Sequence, residues 1–364
     1  MTIHKNWGSL SRKARFGWIC LAVFAILLTL RAAAPTLVER HVNGVLDNLD
    51  GYSGSIDDVD LSLFRGAYRI EGLVLDKDEG GAKIPFLEVP GLDLSIEWKA
   101  LLDGGLVGEL ILEEPVLSLL AAEDEEDEQL GEEGNWLESV QSLVPFVLNR
   151  FEVENGTITF DFADDAAPLM VKANSLQMLA TDITNVADVA EELPSRLRAT
   201  ATLEEGAPLR LEGRFDLTGD TWEMDMELEC EPIELDYLNP FLEKYANLDV
   251  RGGNLGLFAE CAVAAGEVDG YLKFLAQDID VYESGEEGGP LSALWEAVAA
   301  GLITITKNRN KDQFAAKVPF SGKTEDFSAG TFASVGSLLR NAFVKALSGN
   351  VDDSISLADL DQEN

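Results

Sequence analysis

Apolar and acidic residues take strict turns through the middle of the chain. Trp222, Met224, Met226, Leu228 and Cys230 alternate with Glu223, Asp225, Glu227 and Glu229, which predicts a strand with one dry face and one wet face. Leu209, Leu211, Phe215 and Leu217 keep the same period, and the TGDT turn at 218–221 joins the two runs into a hairpin. Further strands are predicted at Val59, Leu61 and Leu63; Tyr68 and Ile70; Leu92, Leu94, Ile96 and Trp98; Ile158, Phe160 and Phe162; and Val268, Gly270, Leu272 and Phe274. The alternation slips by one from Ile70 to Leu73 across Gly72 and from Val89 to Leu92 across Gly91, the places where bulges bend a strand. Helical spacing occurs near 35–49, 135–149, 238–246, 291–300 and 333–347. The pattern as a whole predicts a mostly β chain built on one long, curved antiparallel sheet.

Two stretches repeat each other. Glu152, Val153, Gly156 and Ile158 correspond in spacing to Asp249, Val250, Gly253 and Leu255, and in both the glycine is expected to open a turn at positive φ. Repetition of a strand unit favours an elongated body over a compact enzyme. Asn155-Gly156-Thr157 also spells a glycosylation sequon, for which turn chemistry is the simpler explanation.

The N-terminus breaks the β pattern. Residues 16–30 are an uncharged run of fifteen, preceded by Lys5, Arg12, Lys13 and Arg15. With Arg31 snorkelling and Ala32, Ala33 and Ala34 extending the helix, the span is close to the roughly twenty residues that cross a bilayer. Trp18, Leu21, Phe24, Leu27 and Leu30 are its anchor residues, and the flanking basic residues place the N-terminus in the cytoplasm and the body in the periplasm. A cleaved leader ending at the three alanines is the competing reading, against which stand Pro35 and the helical pattern running on through Leu37, Val38, Val42, Val45, Leu46 and Leu49. The expected organisation is a cytoplasmic end and transmembrane anchor at 1–34, a membrane-proximal helix at 35–50, a periplasmic β body at 51–350 with an acidic mobile loop at 123–134, and an acidic tail at 351–364.

Charge narrows the partners. The chain of 364 residues has 66 Asp and Glu against 27 Lys and Arg, a net charge of −39. Nucleic-acid binding runs on clustered cations, and none follow the N-terminal segment. Anionic head groups are repelled by the general surface. Acids spread along the whole length suit a halophilic, high-salt setting in which screening quenches self-repulsion. Only 123–128 with Glu132 and Glu133 is a dense block, and its spacing matches no calcium loop.

Catalytic chemistry finds little footing. The only histidines, His4 and His41, flank the apolar run, so no triad or zinc spacing forms around them, and no glycine-rich phosphate loop is present. No enzymatic activity, metal or cofactor is expected. Cys20 lies in the apolar run; Cys230 and Cys261 are either a disulfide or two buried thiols.

What remains is the dry face: Trp98, Phe160, Phe162, Trp222, Met224, Met226, Leu228, Leu272 and Phe274. It is either the core of a self-covered β-sandwich, which would make the protein a non-catalytic envelope scaffold or assembly factor, or a surface for acyl chains, to which methionine adapts readily.

The N-terminal anchor, the stretch from Tyr52 through Ile56, Val59, Leu61, Leu63, Arg65 and Gly66 to Tyr68, the run Ile84-Pro85-Phe86-Leu87 to Pro90, and the late Val318-Pro319-Phe320 and Leu338 to Phe343 together resemble the AsmA-like envelope proteins, a single-anchor branch of them. That resemblance covers nearly the whole chain. It implies a taco-like β-groove with a few short capping helices, anchored in the inner membrane, with phospholipid acyl chains as its guests and a role in envelope lipid transport or outer-membrane homeostasis. At about 4.8 Å per strand a body of about fourteen strands would be about 65–70 Å long, which favours a partial conduit, lipid chaperone or scaffold over a complete bridge.

Overall fold

The computed structural model describes residues 12–47, 49, 51–62, 66–78, 84–97, 99, 106–121, 129, 146–162, 169–184, 193–217, 223–239, 250–281, 304–308 and 313–323. Among the described residues one helix, α1 (Arg12–Leu46), precedes fifteen strands: β1 (Tyr52–Ser55), β2 (Asp58–Ser62), β3 (Ala67–Lys77), β4 (Leu87–Ile96), β5 (Leu106–Glu113), β6 (Val116–Ala121), β7 (Phe146–Phe162), β8 (Leu169–Thr184), β9 (Ser195–Leu203), β10 (Pro208–Asp216), β11 (Glu223–Glu234), β12 (Val250–Ala264), β13 (Glu267–Val281), β14 (Thr304–Asn308) and β15 (Gln313–Lys323). All fifteen belong to one sheet, in the order β1-β3-β4-β5-β7-β8-β9-β10-β11-β12-β13-β15-β14, with β2 beside β3 and β6 beside β4 and β7.

The predicted hairpin forms in the expected register, Leu209 opposite Cys230 and Phe215 opposite Met224. The sheet is mixed, not purely antiparallel: β5 and β6 both run parallel to β7. A parallel pair needs a crossover of a dozen residues or more, and residues 122–145, which include the acidic block, supply the length. Within that block Gln129 is buried and pairs with Leu120, its side-chain amide donating to Ser118 O at 2.9 Å; the rest of the predicted mobile loop lies outside the described residues. The helix expected at 135–149 is corrected at its end, because Phe146 already begins β7. Of the 238–246 helix only Leu238 and Asn239 are described, and 291–300 and 333–347 lie outside.

Bends fall in line across neighbouring strands. Gly72 in β3 has φ 65, Glu114 between β5 and β6 has φ 51, Asn155 in β7 has φ 55 and Ser175 in β8 has φ 54. The register puts these sites next to one another: Leu73 faces Val89, Gly91 faces Glu113, Glu113 faces Glu154, and Val153 faces Met178. A second line crosses β11 between Cys230 and Ile233, β12 at Gly253 (φ 123) and β13 at Asp278 (φ 52). Bulges and left-handed residues turn a strand, so the stacked bends crease β3 to β8 along one line and β11 to β13 along another. At Gly72 and Gly91 the slips in β3 and β4 cancel, leaving the register unbroken, a matched kink where two bulges were expected. The repeated motif also marks a bend inside a strand, not a turn. Asn155 takes the positive φ in the first copy, next to Gly156, and Gly253 takes it in the second. Asn155 Nδ2 donates to Glu114 Oε1 at 3.3 Å, which ties the first line of bends together.

Helix α1 continues through Pro35 as one rod of 35 residues, about 52 Å at 1.5 Å per residue, so the expected anchor and membrane-proximal helix are one element. Its last turns dock on the sheet: Ala34, Val38, Val42 and Leu46 pack on Ile56, Val59 and Leu61. Asn43 fixes the fit, its Oδ1 accepting from Ile56 N at 2.7 Å and its Nδ2 donating to Ile56 O at 3.4 Å. Among the described residues no helix is long and apolar enough to cross a membrane, so the span expected at 16–34 gains no support there; Ile26, Leu27, Leu28 and Leu30 have side chains outside the described set.

Candidate functional site

Strand pairing extends the dry face of the hairpin in both directions. One row runs Ala180, Leu197, Gly213, Met226, Cys261, Gly270 and Phe320 across seven strands. The next runs Met178, Ala199, Leu211, Leu228, Ala259, Leu272 and Val318, and a third runs Ala201, Leu209, Cys230, Leu257, Phe274 and Ala316. The three rows form one unbroken apolar surface from β8 to β15. Polar partners occupy the other face: Arg210 opposite Glu229, and Glu212 opposite Glu227.

Exposure varies along this surface. Ala199, Ala259, Cys261, Val263, Met224, Met226 and Leu272 are buried, while Leu209, Leu211, Phe215, Leu228, Leu257, Phe274 and Phe320 are half-buried. Of the predicted face residues, Met224, Met226, Leu228, Leu272 and Phe274 fall on this surface. Phe160, half-buried, faces Val171 and continues it onto β7. Phe162 lies in β7 opposite Leu169 with its side chain outside the described set, and Trp98 and Trp222 lie outside the described residues.

Two clusters divide the face along the strands. In the first, Cys230, Ile233, Leu255 and Ala276 join Ala173, Ala201, Leu203 and Ala207, with Leu235 and Leu238 of the β11–β12 connection packed among them. That connection spans back to β8, where Tyr237 OH donates to Met170 O. In the second cluster, Met224, Met226, Cys261, Val263 and Val268 join Ala180, Ile183 and Leu197, flanked by Phe151, Leu211, Phe215 and Phe320. Here side chains lie flat over glycines: a Cβ on Gly213 would run into Met226 Sδ, and one on Gly270 into the Phe320 ring.

Burial pushes the Cys230 thiol up to about 12, with Glu205 adding to the shift, and the Cys261 thiol up to about 11, with Asp225 adding. Both thiols are free. They sit four residues apart along paired strands, since Met226 faces Cys261 and Cys230 faces Leu257; that offset is about 13 Å, beyond the reach of a disulfide. This settles the alternative left open by the sequence in favour of two thiols. Neither is disposed as a nucleophile, because a raised thiol is an unreactive one.

Two charged arrangements lie on the wet face. Arg69 Nη1 donates to Asp93 Oδ2 at 2.8 Å and to Glu113 Oε1 at 3.0 Å, and Nη2 to Glu113 Oε2 at 2.5 Å. Gly91 leaves the room for them, because a Cβ there would sit 2.7 Å from Glu113 Oε2 and 2.8 Å from Arg69 Nη2. The Arg69 hydrogen bond holds the Glu113 carboxyl below the ordinary carboxylate range. An open depression of about 420 Å³ lies over β11, β12, β13 and β15 between Asp225, Glu260, Asp269 and Tyr271. Tyr271 donates to Glu260, and Lys317 Nζ sits 3.3 Å from the Tyr271 ring centroid. Among the described residues no group of three or more His, Cys, Asp or Glu is placed to hold a metal.

The first half of α1 carries the other apolar surface. Phe16, Trp18, Ile19, Leu21, Val23 and Phe24 are all exposed, Phe16 by 68%. Trp18, Leu21 and Phe24 are three of the predicted anchor residues; the side chains of Leu27 and Leu30 lie outside the described set. Sequence reading missed Gln129, Asn43 and Arg69, whose partners come from other elements. Compared with known proteins, the chain matches no protein-family model and no curated protein.

Proposed function

We propose that this is a non-catalytic protein anchored in the inner membrane by the first half of α1, with its N-terminus cytoplasmic and its body periplasmic, and that the creased sheet forms a groove whose apolar face shelters phospholipid acyl chains. The observation that carries this reading is the half-buried state of Leu209, Leu211, Phe215, Leu228, Leu257, Phe274 and Phe320 on one continuous face. A sealed core closes around its largest side chains first, because they bring the most apolar area. Here Met224, Met226 and Leu272 are covered, while Leu209, Leu211, Phe215, Leu228, Leu257, Phe274 and Phe320 of the same face keep access. Each acyl methylene taken up by such a face contributes about 0.8 kcal/mol, so a lipid tail binds without any dedicated polar group, and the wet edges are left for head groups.

The exposed apolar half of α1 supports the anchor, since a contiguous patch of this kind in water is an interaction surface. Thirteen strands along the sheet path at about 4.8 Å spacing give about 58 Å, shorter than the expected length. That suits a partial conduit or lipid chaperone in the manner of the AsmA-like proteins better than a complete bridge. The burial of Met224, Met226 and Leu272 is the feature a self-covered scaffold shares.

The two readings part at Leu211 and Leu228. With Leu211→Asp and Leu228→Asp combined, the groove reading expects the fold to persist by circular dichroism while co-purifying phospholipid, measured by lipid extraction, drops to the background of the anchor. Unfolding of that variant, or unchanged lipid content, counts against the groove.

A further inference from the structure

A third charged arrangement on the wet face is basic. There β9 presents Arg196 and Arg198, and β10 presents Arg210 and Arg214, all four exposed. The register sets Arg196 directly opposite Arg214, Arg198 opposite Glu212 and Arg210 opposite Thr200. Four arginines and a single acid thus share a stripe two strands wide and about 14 Å long, in a chain of 66 acids and 27 bases. Like charges directly opposite on paired strands are destabilising, so the fold by itself gains nothing from setting Arg196 against Arg214. Arg214 is held in place, its Nε and Nη2 donating to Leu193 O at 3.0 and 2.7 Å. Beside the stripe, Leu179 of β8 lies opposite Arg198 and is 39% exposed, a large apolar side chain left in water.

The borders of the stripe set the width of what fits it. On one side β11 carries Glu223, Asp225, Glu227 and Glu229 on the same face, and on the other, beyond β8, Glu152 of β7 lies opposite Leu179. A bilayer surface or a nucleic-acid duplex is wider than the stripe and meets those acids. A single nucleic-acid strand needs aromatic side chains to stack on, and β8, β9 and β10 present none on this face. An extended polypeptide is narrow enough, and it repeats its side chains every second residue, about 6.8 Å, the spacing of Arg196 and Arg198 along β9. Guanidinium forks take carboxylates by paired hydrogen bonds. We propose that the stripe docks an extended acidic segment of a partner protein, with carboxylates taken by Arg196, Arg198 and Arg210 and an apolar side chain among them set against Leu179. The stripe lies on the face away from the acyl-chain surface, so this docking stands independently of the groove reading.

The probe is a short fluorescein-labelled peptide in which Glu and Thr alternate around a central Leu, followed by fluorescence anisotropy on the full-length protein in non-ionic detergent at about 0.15 M salt, where exposed charges more than about 8 Å apart are screened. Saturable binding is expected, and Arg196→Thr combined with Arg198→Thr is expected to weaken it about tenfold. The melting temperature of that variant is expected to hold or rise, because a like-charge pair has been removed; arginines that served only the fold would lower it and leave binding where it was. Absence of saturable binding, or superimposable curves for the two proteins, overturns the docking proposal. Inorganic polyphosphate that binds as tightly through the same arginines also overturns it, since the stripe would then be an unselective anion surface. If the double variant does not fold, Arg196→Lys keeps the charge and removes the fork; it is expected to weaken the peptide about threefold, and unchanged binding overturns the proposal equally.

Discussion

Around Cys230 the apolar face is covered by the chain's own connection, with Leu235 and Leu238 reaching back over β8 to β10, whereas around Cys261 it is covered by its own side chains, Met226 over Gly213 and Phe320 over Gly270. The first flank is closed by backbone that returns over the sheet, with Leu235 and Leu238 in the apolar cluster and Tyr237 bonded to Met170. The second is closed by rotamers, and methionine and phenylalanine lying across glycines can stand up without any backbone change. Two flanks of one surface thus reach similar burial by means that respond differently to a guest: the first yields to whatever loosens residues 235–239, the second to whatever pushes directly on the face.

The largest expected effect comes from charging the floor of the second flank. Val263 is 1% exposed, and Val263→Asp is expected to cost about 3–5 kcal/mol in urea unfolding, the penalty of a buried unpaired charge. Leu211→Asp, on the half-buried row between the flanks, is expected to cost less than half of that. Equal costs would erase the distinction between floor and open row. On the first flank, Leu238→Ala is expected to cost about 2–3 kcal/mol and to raise hydrogen exchange within residues 235–239 ahead of the rest of the sheet; uniform loosening would mean that the connection is an integral part of the core.

Gly270→Ala sharpens the picture of the second flank. The new methyl meets the Phe320 ring and the Glu260 carbonyl, and overpacking of this kind costs about 1–3 kcal/mol. Combining it with Phe320→Ala should recover part of that loss, and no recovery would mean that the backbone contact, not the ring, sets the cost.

The smallest effect belongs to the wet face. Arg69 and Glu113 side chains are 37% and 39% exposed, so Arg69→Ala is expected to cost below about 1 kcal/mol. Because the Glu113 carboxyl is held below its ordinary 4.5, the contribution is present above that value and is lost as pH falls through the lowered one. Thermal melts of the wild type and Arg69→Ala should converge in acid; a gap that persists there would assign the loss to packing of the Arg69 stem.

Local alternation made much of this legible in the sequence. The hairpin from Leu209 to Cys230 was readable residue by residue, because its two strands are neighbours and period two fixes which face each side chain takes. Gly72 was readable as a bend and Gly253 as a positive-φ position, though as a turn and not a bend within a strand, because glycine is where backbone departs from the strand at least cost. Pairings set by distant chain were not readable. The parallel β5 and β7 pair is joined through 122–145, and β14 lies outside β15 although it precedes it in sequence; nothing local to those strands encodes either arrangement. Phe146 and Val147 read as helix because their apolar spacing suits both periods until a strand partner is present. Glu205 looked like one acid among 66, and only the fold brings its charge to bear on Cys230.

The most direct test of the central claim is native mass spectrometry of the full-length protein released from detergent, compared with Leu211→Asp. If the apolar face holds acyl chains, the wild type carries phospholipid in defined stoichiometry and the variant, still folded, carries fewer by at least one. Identical lipid loads on the two proteins would contradict it.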